Sequence, residues 1–221
     1  MNLSKQILLL GATGRTGKEV LHLALSCGFH VNILVRDAFK VKIDHPKLRV
    51  FEGDTRSCAD LGIAAEGCEA VISCLNISRK SDFPWAALRT PPDFLSVTMQ
   101  SIIKTCREKN IKRLVFTSAW GVGDSRPWLP SWFVWFIDNS NLSPAYLEHE
   151  RQEALVRNSG LDWTIVRPVI LTNSTKPKPV QAILDNKKKP SLTISRKSTA
   201  EFLIDILDKL NYIHTAPTIY S

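Results

Sequence analysis

The chain has 221 residues, 44% of them hydrophobic, and a formal net charge of +8. That length and apolar content suffice for one full core and exclude a disordered or fibrous chain. No apolar run reaches bilayer-spanning length, and the positive charge is dispersed apart from Lys187-Lys188-Lys189, so neither a membrane span nor a nucleic-acid surface is expected.

Residues 1–6 run directly into the first apolar stretch, so no signal peptide is expected. The five cysteines, Cys27, Cys58, Cys68, Cys74 and Cys106, lack metal-site spacing, and reduced thiols in the cytoplasm are the expectation, with no metal. Residues 7–10 have strand length and stop at Gly11-Ala12-Thr13-Gly14-Arg15-Thr16-Gly17. Val20, Leu21, Ala24 and Leu25 then recur at helical spacing until Gly28. Strand, glycine turn and helix in succession predict a dinucleotide-binding start. Gly11 is expected to let the chain reverse, Gly14 to let the backbone approach a pyrophosphate, and Gly17 to bring the helix close to the strand. Thr13, Arg15 and Thr16 complete the expected cofactor turn, with the positive end of the helix facing the phosphates.

Residues 30–35 read as the second strand, followed by Arg36-Asp37. A basic side chain there suits the 2′-phosphate of NADP, an acidic one the ribose of NAD. Arg36, with Arg15 as a second arm, points to NADP(H), and Asp37 points the other way. A third strand at 48–52 ends near Asp54 and Thr55, where an aspartate can bond an adenine amino group. A helix is expected at 60–65 and a fourth strand at 70–73, leading to Cys74, Leu75 and Asn76 along the cofactor. Cys74 is read as a small buried residue without redox chemistry.

Residues 78–92 read as a loop over the site, 93–109 as an amphipathic helix capped by Asp93, and 113–117 as the fifth strand, delivering Ser118 to the sheet edge. Residues 127–136 hold three of the six tryptophans and two phenylalanines. Such rings suit a core, a dimer face, a membrane-surface anchor or the wall of a pocket for a flat substrate. Trp120, Trp128 and Trp132 are taken as substrate-wall residues, with a homodimer as the other use of this surface. A helix over 143–159 is followed by a sixth strand at 162–167, stopped by Pro168, and Pro168 and Val169 are expected along the cofactor. A basic, proline-rich excursion to residue 190 precedes a short strand at 192–194. Ser198 to Glu201 has the form of a capping box for a last helix over 201–210, and 218–220 reads as an edge strand.

The motifs GATGRTG, LVRD, TSAW at 117–120, RNSGLDWTIVRP at 157–168 and ISRKSTAEFL at 194–203 stand in the order of the atypical short-chain dehydrogenase/reductases. The chain resembles their NmrA-like NAD(P)-binding group, closest in pattern to the biliverdin-IXβ reductase/flavin reductase family. The resemblance covers nearly the whole chain. It implies an α/β fold, a Rossmann doubly wound parallel sheet with helices on both faces. One domain is expected over 1–221, with 120–145 and 168–197 as substrate-side insertions. It implies NADP(H) as cofactor and an NADPH-dependent oxidoreductase acting on a flavin, quinone or tetrapyrrole-like acceptor. It also allows a non-catalytic NADP(H)-binding redox sensor. Ser118 takes the place of the family serine that hydrogen-bonds the reacting carbonyl. The usual Tyr-x-x-x-Lys pair is absent, since its positions fall on Ala145 and His149, with Tyr146 one residue off. His149 matches a histidine of those reductases and is the second expected catalytic residue. Val169 stands where they carry another histidine, so proton donation from that position is missing.

Overall fold

The structure is a computed structural model that describes residues 5–175, 178–185 and 189–221; Lys187 and Lys188 of the lysine run lie outside the described residues. Its centre is β1, Gln6–Leu10, flanked on both sides by parallel strands. Ile7 and Leu9 face one core and Leu8 and Leu10 the other, so all four are buried. This is why β1 reads as a continuous apolar run: a parallel strand covered on both faces has no polar side to show.

Eight strands line up as β3 (Leu48–Glu52), β2 (His30–Val35), β1, β4 (Ala70–Ser73), β5 (Arg113–Thr117), β6 (Asp162–Pro168), β10 (Thr218–Tyr220) and β8 (Gln181–Ile183). All pairs are parallel except β10 with β8. A separate parallel pair joins β7 (Ile170–Thr172) to β9 (Thr193–Ser195). One face of the large sheet is covered by α1 (Arg15–Ser26), α4 (Ser131–Asp138) and α6 (Arg196–Asp205). The other is covered by α2 (Cys58–Ala64), α3 (Phe94–Glu108) and much of α5 (Ser143–Arg157). Helices on both faces of a mostly parallel sheet make this a Rossmann-like doubly wound fold.

The strand order reverses at β1, since the chain goes to β2 on one side and to β4 on the other. Ligands of such sheets sit beyond the carboxyl ends at this point.

Several local expectations need correction. Strands β7 and β8 form inside the stretch read as an excursion, each only three residues long. Strand β10 is not an edge, because β8 pairs along its outer side. Helix α6 begins at Arg196: Ser195 is its cap, its hydroxyl accepting from Ser198 N, so the expected capping box lies within the helix. Helix α2 starts earlier than expected, on a Ser57 cap. Asp93 makes no side-chain cap bond to α3. Its first turn is satisfied by Glu148 of α5, whose carboxylate accepts from Ser96 N and Ser96 Oγ, both at 2.9 Å.

Candidate functional site

The glycine turn closes against the end of β4. Gly11 has φ +80°, and a Cβ there would lie 2.8 Å from the carbonyl of Cys74. A Cβ on Gly17 would lie 2.1 Å from Gly11 O, so the first turn of α1 can rest on the reversal only if residue 17 has no side chain. Gly14 is less constrained, its imagined Cβ standing 3.1 Å from Gly11 O. The first turn of α1 has no side-chain cap and no acidic residue, which leaves its N–H groups to an outside acceptor.

A cavity of ≈ 360 Å³ opens at the carboxyl edge of the sheet over this turn. It brings together Gly11, Thr13, Gly14, Arg15, Thr16, Arg36, Cys74, Leu75, Asn76, Ser118, His149 and Pro168 from the expected set. Gly17, Asp54, Thr55 and Val169 do not line it. Gly17 lies beneath Gly11, and Asp54 is taken up by Arg56, whose guanidinium holds its carboxyl below the usual range. Thr55 is buried, its hydroxyl 3.4 Å from that of Thr98. Val169 is in the core, its N–H donating to Ile219 O.

Sequence reasoning missed Arg79, Asp82, Leu171 and Arg196, which also line the cavity. Arg79 and Asp82 follow β4, Leu171 lies in β7 and Arg196 follows β9. With Arg15 and Arg36 they make, among the described residues, four guanidinium groups around the cavity against one carboxylate, Asp82. Arg15 donates to both oxygens of Asp82, at 2.9 and 2.8 Å. Arg79 Nε is buried with no partner, and burial lowers the pKa of its guanidinium. Asp37 accepts from Phe39 N and pairs with Lys40 at 2.9 Å, and it is not part of the lining. An uncapped helix start, a surplus of cations and an orphaned buried donor are a donor set suited to the phosphates of a dinucleotide.

His149 is not the solvated helix residue its acidic neighbours suggest. It is 2% exposed, with Nε2 3.2 Å from Asn76 Oδ1 and Nδ1 2.6 Å from Gln152 Nε2. Asn76 Oδ1 also accepts from Ile77 N, which marks it as the acceptor. The consistent assignment puts the proton on Nε2, donated to Asn76, while Nδ1 accepts from Gln152. Burial lowers the pKa of His149 to about 4, so the ring is neutral near pH 7. Ser118 Oγ donates to Glu153 Oε1 at 2.6 Å, and Glu153 also accepts from Arg167 Nε at 3.0 Å. The hydroxyl has one proton, now committed, so Ser118 presents lone pairs to the cavity. In this arrangement the hydroxyl proton points to Glu153, where the expected role has it pointing to a carbonyl. Tyr146 does not reach the cavity: its hydroxyl is 3.3 Å from Trp120 O, and burial raises its pKa to about 12. Burial likewise pushes the Cys74 thiol up to about 12, well away from thiolate chemistry.

The tryptophans expected in a substrate wall stand outside this cavity. Trp120 is 4% exposed and packs in the core with Leu129, Phe133 and Ile137, filling the space between sheet and α4. Trp128 and Trp132 face outward and do not line the cavity. Residues 127–136 instead form the last part of a 3-10 turn and most of α4, where Phe136 meets Trp85 edge-on at 5.6 Å. Phe83 lies against Trp85 at 5.3 Å, and Phe83, Trp132 and Trp135 are largely exposed. Among the described residues, no group of three or more His, Cys, Asp or Glu converges to hold a metal ion, and no helix is long and apolar enough to cross a membrane.

A family model described as NAD(P)H-binding matches residues 11–210. A short-chain dehydrogenase/reductase from Veillonella parvula in complex with NADP aligns with a TM-score of 0.82 and 22% identity, over 98% of this chain and 94% of that one. An anaerobilin reductase from Escherichia coli O157:H7 aligns with a TM-score of 0.80 and 20% identity, over 98% and 97%. These likenesses establish the fold. Among curated proteins, an uncharacterized chloroplastic protein of Arabidopsis thaliana is 27% identical over 187 residues, 77% of this chain and 60% of that protein. The human decarboxylating sterol-4-alpha-carboxylate 3-dehydrogenase is 27% identical over 119 residues, 53% of this chain and 30% of that enzyme. The chain thus spans less than two thirds of these curated relatives.

Proposed function

The chain belongs to the NAD(P)H-binding family, and from that premise we propose that it is an NADPH-dependent reductase of a flat conjugated acceptor: a flavin, a quinone or a linear tetrapyrrole. The observation that carries this is the cavity in which the glycine turn, Arg36, Ser118 and His149 meet at the switch point of the sheet. Arg36 and Arg15 are the arms for a 2′-phosphate, and the engagement of Asp37 by Lys40 and Phe39 leaves it unsuited to compete. The NADP complex and the anaerobilin reductase among the structural neighbours support the same cofactor and acceptor class.

The cofactor, when bound, supplies the hydride. The chain's own part is to position and to exclude water. Backbone N–H groups of the glycine turn hold phosphate. Ser118 offers a lone pair to an amide or hydroxyl donor, and Pro168 and Leu75 form dry walls. The three side chains where a proton donor was sought are each engaged within the chain. The Ser118 proton is committed to Glu153, the neutral His149 uses both ring nitrogens, and Tyr146 is elsewhere. A conjugated acceptor can take its proton from water, whereas a simple ketone needs a donor in place. We place the reaction in a reducing cytoplasm, in keeping with five free cysteines.

A second reading, a non-catalytic NADP(H) sensor, is favoured by the exposed rings of Trp132 and Trp135, which offer a partner surface outside the cavity. Titration with NADPH and NADH, followed by tryptophan fluorescence, tests the cofactor half. NADPH should bind more tightly than NADH, and Arg36→Ala should weaken NADPH about tenfold to a hundredfold while leaving NADH unchanged. Failure to bind either nucleotide would end both readings. NADPH oxidation across a panel of flavins, quinones and tetrapyrroles then separates them, since a sensor binds without turnover.

A further inference from the structure

Behind Ser118 lies a buried ion pair. Glu153 of α5 is 3% exposed and Arg167 of β6 is 1% exposed, and neither lines the cofactor cavity. Glu153 Oε1 accepts from Arg167 Nε at 3.0 Å and its Oε2 accepts from Nη2 at 2.5 Å, so the guanidinium by itself occupies both carboxylate oxygens. Arg167 Nη2 also donates to Asp124 Oδ1 at 2.6 Å, on the turn after β5. A buried ion pair gives little net stability over a packed apolar substitute, so stability alone does not account for it. The bond from Ser118 Oγ to Glu153 Oε1 is surplus to the needs of the pair, and its effect falls on the serine. Ser118 N also donates to Val166 O at 2.7 Å, which fixes the backbone. With backbone and hydroxyl proton both held, Ser118 shows the cavity lone pairs and no donor. A short bond from a hydroxyl to a carboxylate is among the stronger ones, so the serine keeps this polarity when a ligand arrives.

The strand order fixes which part of the cofactor meets this serine. Arg36 follows β2, the glycine turn follows β1, and Ser118 follows β5, on the far side of β4 from both. A dinucleotide with its 2′-phosphate at Arg36 and its pyrophosphate at the turn runs toward β5, and its nicotinamide is the part that reaches Ser118. We propose that Glu153 is a positioning residue: by holding the Ser118 proton it makes the serine an acceptor for the carboxamide N–H of the nicotinamide. The edge of the ring that faces β5 is thereby selected. A serine free to turn its proton would take the carbonyl or the amide edge alike, and the ring could flip. Ser118 makes the contact, Glu153 acts only through it, and Arg167 holds Glu153 in place. The inference rests on the NADP(H) reading of the cavity and needs no particular acceptor.

The test is calorimetric binding of NADP and of its acetylpyridine analogue, in which a methyl group replaces the carboxamide NH2, to the full chain. The unaltered protein should bind NADP about tenfold more tightly than the analogue. Ser118→Ala should bring the two within about twofold. Glu153→Gln should do the same. Arg167 keeps the amide oxygen, so the amide NH2 donates to Ser118 and the hydroxyl proton turns to the cavity. Adding Glu153→Gln to Ser118→Ala should change nothing further. Melting curves check folding. Should Glu153→Gln fail to fold, Glu153→Leu/Arg167→Met removes both charges at once, frees the same proton and should erase the same preference. A preference that survives the change at Glu153 overturns the proposal. So does a further loss of NADP affinity when Glu153→Gln is added to Ser118→Ala, which gives Glu153 a purely structural part. Equal binding of NADP and analogue by the unaltered protein ends this inference alone. Failure to bind either nucleotide ends the NADP(H) reading and this inference with it.

Discussion

His149 is held between Asn76 and Gln152 as a neutral ring, and its pKa of about 4 lies below the ordinary value near 6.5. Between those values the unfolded chain binds the proton and the folded chain does not. The stabilising effect is therefore complete above pH 6.5 and lost as the pH falls toward 4, by roughly 3 kcal/mol at full extent. Melting temperature should drop across this window, and His149→Gln should flatten the drop; an unchanged slope would place His149 in water. The glycines divide in a similar residue-by-residue way. Gly17→Ala forces a Cβ onto the Gly11 carbonyl and should cost roughly 2–4 kcal/mol in denaturant unfolding. Gly14→Ala, whose Cβ would meet Gly11 O at a tight 3.1 Å that a small shift relieves, should cost about 1 kcal/mol yet weaken NADPH binding. Equal losses of stability in the two would contradict the geometry of the turn.

Among the elements, those with a strong apolar period were legible in the sequence. The strands β1, β2, β4, β5 and β6 show as apolar runs because both faces are covered, and α1 shows its buried stripe of Val20, Leu21, Ala24 and Leu25. Three-residue strands such as β7 and β8 are too short to show any period, and they exist because β9 and β10 pair with them. The start of α6 was misplaced because two serines, Ser195 and Ser198, stand three apart and either can cap; only the geometry selects Ser195. The same limit applies to the site. Arg36 and the glycine turn are marked by their place after strands, whereas Arg79 and Asp82 come from a loop with no pattern of its own, and Arg196, though inside a quoted motif, was read only as the approach to a helix. Asp82 has a testable part in this. Its pair with Arg15 is exposed at both ends and thus weakly held. Asp82→Ala should free Arg15 and tighten NADPH by about two- to fivefold, measured by fluorescence titration. Weaker binding would mean that the segment after β4 needs Asp82 to form the cavity.

At the scale of the molecule, the helices on one side of the sheet, α1, α4 and α6, differ in what they leave exposed. Helices α1 and α6 pack their buried stripes inward, while α4 sets Trp132 and Trp135 outward, and Phe83 and Trp85 are exposed as well. Side chains that exposed contribute little to folding but make a sticky surface. Trp132→Ser/Trp135→Ser should leave stability within about 0.5 kcal/mol and shorten retention on a hydrophobic-interaction column. Unchanged retention would mean that the rings are covered in solution. The cap that Glu148 supplies to Ser96 has a consequence of another kind, one of order in time. Its two ends are separated by 52 residues, with β5 and α4 between them. The opening turn of α3 therefore cannot complete its hydrogen bonds from its own neighbourhood and must wait until α5 arrives across that span. In a chain emerging from its amino end, α3 would be synthesised early and finished late.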